Sequence, residues 1–345
     1  MFGQIGSSSQ RFNFLQKVVS RRIARRKTAL GDQFFNASGC LAQAEDAYRS
    51  ALSTSPTEFA AFRGIGECLA RQQRLEEAQC AHEAWFRRWI HSAGSRQLLR
   101  QQNKACRRGM PAMLLVSMQK SASEYLRENL MRALDIPELH IGIGTVPRDK
   151  VIPSAVQQLA RGGAIARSHM DGANFGALAA NGITRMLLQI RDPRQVTVSW
   201  THMMRRLSDV AFQYAAKMYH PEVPADFRVW TLQQEIDWAI DNYLPGQLSW
   251  LESWAAVLDT EPSIPICVLK FEDFRAEEDT FFRRIANFYG LAQIDRPALS
   301  DQSAAAMRNF RLGDIDEWRT VLAPERLKVF NSRLKSLAER FAWNA

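Results

Sequence analysis

Two hydrophobic patterns divide the chain. From about residue 37 to residue 90 it is alanine-rich, and its apolar positions recur at helical spacing. Pro56 separates two such runs, so the segment reads as a helical hairpin. Beyond Arg107 the period changes. AMLLVSM (Ala112–Met118), AIARSHM (Ala164–Met170), RMLLQIRD (Arg185–Asp192) and IPICVLKFEDF (Ile264–Phe274) are short apolar runs separated by helical patterns. Strands buried on both faces look like this, and helices between them imply crossovers in a parallel sheet. The expected architecture is an α/β domain over residues 107–345, preceded by an all-α region over residues 1–106.

The all-α region has an internal regularity. AEDAYRSALSTSP begins at Ala44 and AQCAHEAW at Ala78, 34 residues later, which is the tetratricopeptide period. FRGIGECL (Phe62–Leu69) places an aromatic residue, Gly66 and Leu69 at the spacing of that repeat's first helix. Gly66 and Ala78 are small enough for paired helices to approach closely. Generic helix-turn-helix packing accounts for the same pattern.

Composition narrows the class. With 345 residues, 46% apolar and 23% charged, the chain has the make-up of a globular protein of about two domains. No run approaches the roughly 18 apolar residues of a membrane-spanning helix. Five cysteines, spread out and without a C-x-x-C pair or a histidine at ligand spacing, read as reduced thiols in a cytoplasmic protein without bound metal. The formal charge of +9 is concentrated early: Arg11, Lys17, Arg21, Arg22, Arg25, Arg26 and Lys27 precede the first acid. Such a segment reads as a frayed, solvated first helix; a basic arm for nucleic acid or anionic lipid and a transit peptide share its composition. Nucleic acid is not the expected partner.

Candidate chemistry begins in VSMQKSASEYLRENL (Val116–Leu130), where an apolar strand runs through a polar turn into a helix. Turn amides and a helix N-terminus present unpaired donors and a positive dipole end, so an anion suits the turn. The Lys120–Ser121 pair matches the end of a nucleotide-triphosphate loop, but both of that loop's glycines are missing. A helix cap made by Ser121 or Ser123 would explain the same residues. A second strand-turn-helix unit, LQIRDPRQVTVSW (Leu188–Trp200), puts Arg191 at a strand end and Ser199 two turns into a helix.

Taken together, these stretches resemble the sulfotransferases that use 3′-phosphoadenosine 5′-phosphosulfate (PAPS). QKSASEYL is similar to the family's 5′-phosphosulfate loop, PKSGTTWL, and RDPRQVTVS to its 3′-phosphate motif, RDPRDVAVS. ARSHM resembles K-T-H-L, and FRLGDIDEW resembles F-R-K-G-x-x-G-D-W. The resemblance covers roughly residues 111–345 and implies a P-loop-like parallel sheet flanked by helices. It assigns donor binding to Lys120, Ser121, Ala122, Ser123, Glu124, Tyr125, Arg191, Ser199, Arg311, Leu312 and Gly313, with Tyr125 or Phe271 stacking on adenine. His169 falls where many members carry the general base, and Lys120 where a cation meets the leaving phosphate. Arg167 and Ser168 would line the acceptor cleft.

Departures from the family pattern mark the turn. Ala122 replaces a glycine and is expected to be tolerated with a negative φ. Glu124 replaces a threonine, and its carboxylate would repel the donor unless it faced solvent. Sulfuryl transfer is close to phosphoryl transfer, where positioning and charge neutralisation dominate, so a lysine and turn amides can serve without a metal.

The acceptor is expected to carry a hydroxyl on a carbohydrate, a small molecule, or a carrier or peptide. Aromatic residues between Met203 and Trp254 would suit sugars or phenols, although Trp250 and Trp254 also have the spacing of core residues. Helical repeats usually form concave binding surfaces, which points to a protein partner. Two other readings stand: a scaffold whose nucleotide fold is degenerate, and a P-loop kinase.

Overall fold

The computed structural model describes residues 8–37, 40–143, 149–209, 211–212, 215–216, 222–294 and 314–343. The chain divides into two compact units, Met1–Arg96 and Gln97–Ala345.

Four helices build the first unit: α1 (Ser8–Asn36), α2 (Leu41–Thr54), α3 (Phe59–Arg71) and α4 (Leu75–Trp89). Each packs on its neighbour in sequence. Small residues set the spacing. A Cβ on Gly31 or on Gly64 would lie 2.5 or 2.4 Å from the Tyr48 ring, so the ring fits only between two glycines. Tyr48 then donates to Asp32 Oδ1 at 2.7 Å. Across the α3–α4 pair, a Cβ on Gly66 would lie 2.0 Å from His82 Cδ2. Ala44 and Ala78 are fully buried, and Tyr48 on α2 and His82 on α4 are buried as well, the latter beside Phe86. Helix α1 is more than a solvated arm, because Ala24, Thr28 and Gly31 turn inward while Arg21, Arg22, Arg25 and Arg26 stay exposed.

From Gln97 onward α5 (Arg96–Arg107) belongs to the second unit. Gln102 donates to the carbonyls of Gln158 and Gly162 at 2.9 Å, and Ala105 joins the α/β core. Four parallel strands follow: β1 (Ala112–Ser117), β4 (Ala164–Ser168), β5 (Met186–Ile190) and β6 (Ile266–Lys270), in the order β4-β1-β5-β6. Met113 to Val116 of β1 are fully buried, as a central parallel strand between helical layers requires.

A two-residue antiparallel pair, β2 (Gly142–Ile143) with β3 (Lys150–Val151), has no apolar run in the sequence to announce it. The FEDF of the fourth apolar run is not strand. It forms a helix, Phe271–Ala276, whose first turn carries Glu272 and Asp273 at the positive dipole end.

This topology positions the site. Strands β4 and β5 lie on opposite sides of β1: the chain crosses from β1 to β4 on one side and then back past β1 to β5 on the other, so the strand order reverses at β1. In open parallel sheets the crevice at the carboxyl ends of such strands is where ligands bind. The turn after β1, His169 after β4 and Arg191 after β5 all emerge at that edge.

Candidate active site

The turn after β1 is pinned from β5. Met118 N donates to Gln189 O at 2.8 Å, and the Gln189 side-chain amide returns a bond to Ser121 O at 2.7 Å. Inside the turn, Ser121 Oγ donates to Met118 O at 2.6 Å. Helix α6 (Ser123–Leu134) starts directly afterwards. Its N-cap is Ala122, whose side chain has no acceptor for the first-turn amides.

Backbone strain sits here as well. Lys120 and Ala122 adopt φ of 59° and 65°, so the expected negative φ at Ala122 is not found. The left-handed region costs an L-residue roughly 1–2 kcal/mol, which explains why a glycine would suit this position. Glu124 does not simply face solvent either. Its carboxylate bridges Arg167 at 2.7 Å and Arg127 at 2.9 Å, so its charge is neutralised at the turn. Arg127 is fixed in turn by Glu138.

His169 leaves β4 beside the turn. Its Nδ1 lies 2.6 Å from the Ser117 carbonyl, so Nδ1 carries the proton and donates. Nε2 lies 2.8 Å from Arg167 Nη1 and, since a guanidinium only donates, Nε2 accepts. The imidazole is therefore neutral, with its lone pair covered by a cation. Burial, and then the charge of Arg167, push its pKa down to about 4, against the opposing pull of the Ser117 carbonyl.

The backbone around His169 is held on two sides. Trp250 Nε1 donates to the carbonyls of His169 and Met170 at 2.9 Å, and Trp254 Nε1 to Met170 O at 3.1 Å. These two tryptophans are core residues, as their spacing allowed. On the other side Asp149 Oδ2 accepts from His169 N at 3.3 Å and Ser168 Oγ at 3.1 Å. Burial pushes the Asp149 carboxyl pKa up, opposed by the donors from His169 and Ser168. Nothing in the sequence singles out Asp149, an acid outside every motif.

Arg191 joins the two motifs. Its guanidinium donates to Lys120 O at 2.7 Å and to Asp314 O at 2.6 Å, and it stacks on the Phe271 ring at 3.9 Å. Phe271 is 2% exposed and lies beneath that cation. Tyr125 packs on Phe274 and donates to Glu278 Oε1 at 2.7 Å. Ser199 is half-buried on α9 (Pro193–Arg206). Arg311, Leu312 and Gly313 lie outside the described residues, as do Tyr214 and Tyr219 of the aromatic segment. Asp314, the next residue along, reaches Arg191 through its carbonyl.

The second arginine of RDPR has a different task. Asp192 caps α9 by accepting from Arg194 N at 2.9 Å, and its carboxylate receives Arg194 Nε and Nη2 at 3.0 and 2.7 Å. Arg194 is 1% exposed and also stacks on Trp318 at 4.0 Å. Gln195 Oε1 accepts from Trp318 N at 3.1 Å, which ties the C-terminal segment to α9. Pro193 at the first helical position suits the start of the helix.

An anion at this turn would find a lysine, helix-terminal amides and nearby arginines, with a neutral imidazole alongside. No group of histidine, cysteine and acidic side chains that could hold a metal occurs among the described residues, and no described helix is long and apolar enough to cross a membrane.

No curated protein matches the chain. Among the solved structures that match is mouse sulfotransferase SULT7A1 complexed with PAP, with a TM-score of 0.47 and 15% identity, covering 71% of this chain and 89% of that one. The sulfotransferase domain family matches residues 111–335, a span that contains the turn, His169, Arg191 and the whole parallel sheet. With most of its length inside that match, the chain belongs to the sulfotransferase family.

Proposed function

We propose that the chain moves a sulfuryl group from PAPS to a hydroxyl of an acceptor, with His169 as general base and Lys120 beside the leaving phosphate. The observation that carries this reading is the meeting of three motifs. Arg191 bonds the backbone of the turn, and His169 bonds the end of the strand that feeds it. Residues scattered over the sequence thus converge where a donor and an acceptor would have to meet.

Each residue has a task under this reading. The α6 amides and Lys120 receive the 5′-phosphosulfate, whose bound form supplies the sulfuryl group and a phosphate leaving group. Arg191, Ser199 and Arg311 take the 3′-phosphate, where a guanidinium gives paired, charge-assisted bonds. Glu124 does not oppose an anion, because two arginines already neutralise it. His169 Nε2 is ready to take the acceptor's proton once Arg167 turns away from it, while the Ser117 carbonyl keeps the proton on Nδ1. Asp149 holds the His169 backbone and Ser168 in place.

The reading is tested by incubating the protein with sulfur-labelled PAPS and a panel of alcohols, phenols and sugars. Label is expected in at least one acceptor, with adenosine 3′,5′-bisphosphate as co-product. Tight binding of that nucleotide without transfer to any acceptor would favour a scaffold with a degenerate nucleotide site.

A further inference from the structure

The exposed face of α1 carries an unusual combination of side chains. Among the described residues six large hydrophobic side chains are exposed, and four of them lie on this helix: Val18, Val19, Ile23 and Leu30, at 46, 55, 42 and 43%. At 3.6 residues per turn, Val19, Ile23 and Leu30 fall within about 40° of arc, so they form one stripe along the helix. Arg26 and Arg22 border the stripe on one side, with Arg25 and Arg21 further round, and all four are exposed. None of them has an ion-pair partner among the described residues. On the stripe's other side the chain turns inward: Lys27 bonds Thr54 Oγ1 at 2.8 Å, and Ala24, Thr28 and Gly31 are buried.

We propose that this face of α1 docks on an anionic lipid surface. The helix is an integral part of its unit, so docking needs no unfolding. An apolar stripe beside a band of arginines matches the boundary of a bilayer, where aliphatic side chains enter the acyl region and guanidiniums meet lipid phosphates. A nucleic acid would use the arginines but gain nothing from the exposed Val, Ile and Leu side chains. A second copy of this chain would bring arginine against arginine, since no acidic residue precedes Asp32. The feature is independent of the sulfotransferase site.

The test is co-sedimentation of the full chain with vesicles of phosphatidylcholine alone and of phosphatidylcholine with phosphatidylglycerol in equal parts. Binding is expected only to the second, and it should collapse at high salt as the charges are screened. Replacing Arg22 and Arg26 by Gln should lower the partition coefficient by roughly tenfold or more, since each surface arginine is worth about fivefold. Val19→Ser with Ile23→Ser should weaken vesicle binding several-fold while leaving retention on a polyanion such as heparin unchanged. All four positions are exposed, and circular dichroism checks that each variant is folded. Equal binding to both vesicle types, or no binding to either, overturns the proposal. Anionic binding that ignores the Val19/Ile23 pair identifies a plain polyanion site, and a stripe that closes a concentration-dependent dimer identifies a self-interface; either result also overturns it.

Discussion

Arg167 places its guanidinium 2.8 Å from His169 Nε2, so a fixed cation covers the one imidazole nitrogen free to accept a proton. Glu124 steadies that arginine from the turn at 2.7 Å. The first turn of α6 and the imidazole after β4 are therefore joined by a chain of three side chains.

Removing the cation should change how His169 titrates. In Arg167→Gln its pKa should rise from about 4 but stay below the ordinary value, because burial is the larger cause of the depression. Histidine-labelled NMR, with His169→Gln for assignment, measures this. A pKa unmoved by the substitution would show that the two groups do not interact in solution.

Stability should fall as the solution is acidified below the ordinary imidazole range. His169 and His82 are held neutral in the folded chain, with values pushed down to about 4 and about 3 by burial. In the unfolded chain both titrate near 6.5, so between pH 6.5 and 4 the unfolded state binds more protons. Each group then costs about 1.4 kcal/mol of stability per pH unit. Since His82 and His169 belong to different units, His82→Gln should flatten the acid dependence of the first unit alone. Melting curves across this range that do not shift would contradict the burial of both imidazoles.

Two arginines three positions apart should fail in different ways. Arg194→Ala removes the partner of a buried carboxylate and should cost about 3–5 kcal/mol of stability. Arg191→Ala should leave the melting temperature nearer to normal and instead weaken binding of adenosine 3′,5′-bisphosphate by about 1.5–3 kcal/mol. Denaturant unfolding and nucleotide titration of both variants separate the two roles.

Ala122→Gly relieves a left-handed backbone and should stabilise the second unit by about 1 kcal/mol, less whatever entropy the unfolded chain gains. Thermal unfolding reads this directly. A clear loss of stability would mean that the Ala122 methyl group contributes more by packing than it costs in strain.

The central strands were legible because buried parallel strands leave apolar runs, and Met113–Val116, Ala164–Ala166 and Met186–Leu188 are such runs. Tyr48 and His82, 34 residues apart, are both buried against glycines of neighbouring helices, a contact that the alanine-rich pattern alone does not specify. What the sequence hid depends on contacts across the fold. Asp149 reaches His169 from a segment without periodicity. The ion pair between Glu124 and Arg167 joins the first turn of α6 to the end of β4, so the charge of a residue that looked unfavourable for an anion is offset by a neighbour. Phe271 looked like a stacking platform, and only the fold reveals the arginine lying on it.

The most direct test of the central claim, that these motifs form one PAPS site, is calorimetric titration with adenosine 3′,5′-bisphosphate in metal-free buffer. The intact chain, Lys120→Ala, Arg191→Ala and His169→Ala should be compared, with ATP and magnesium as the competing ligand. Near-normal affinity is expected for His169→Ala, affinity weakened by about tenfold or more for Lys120→Ala and Arg191→Ala, and far weaker binding of ATP. Equal affinity in all four proteins, or a preference for ATP with magnesium, would contradict it.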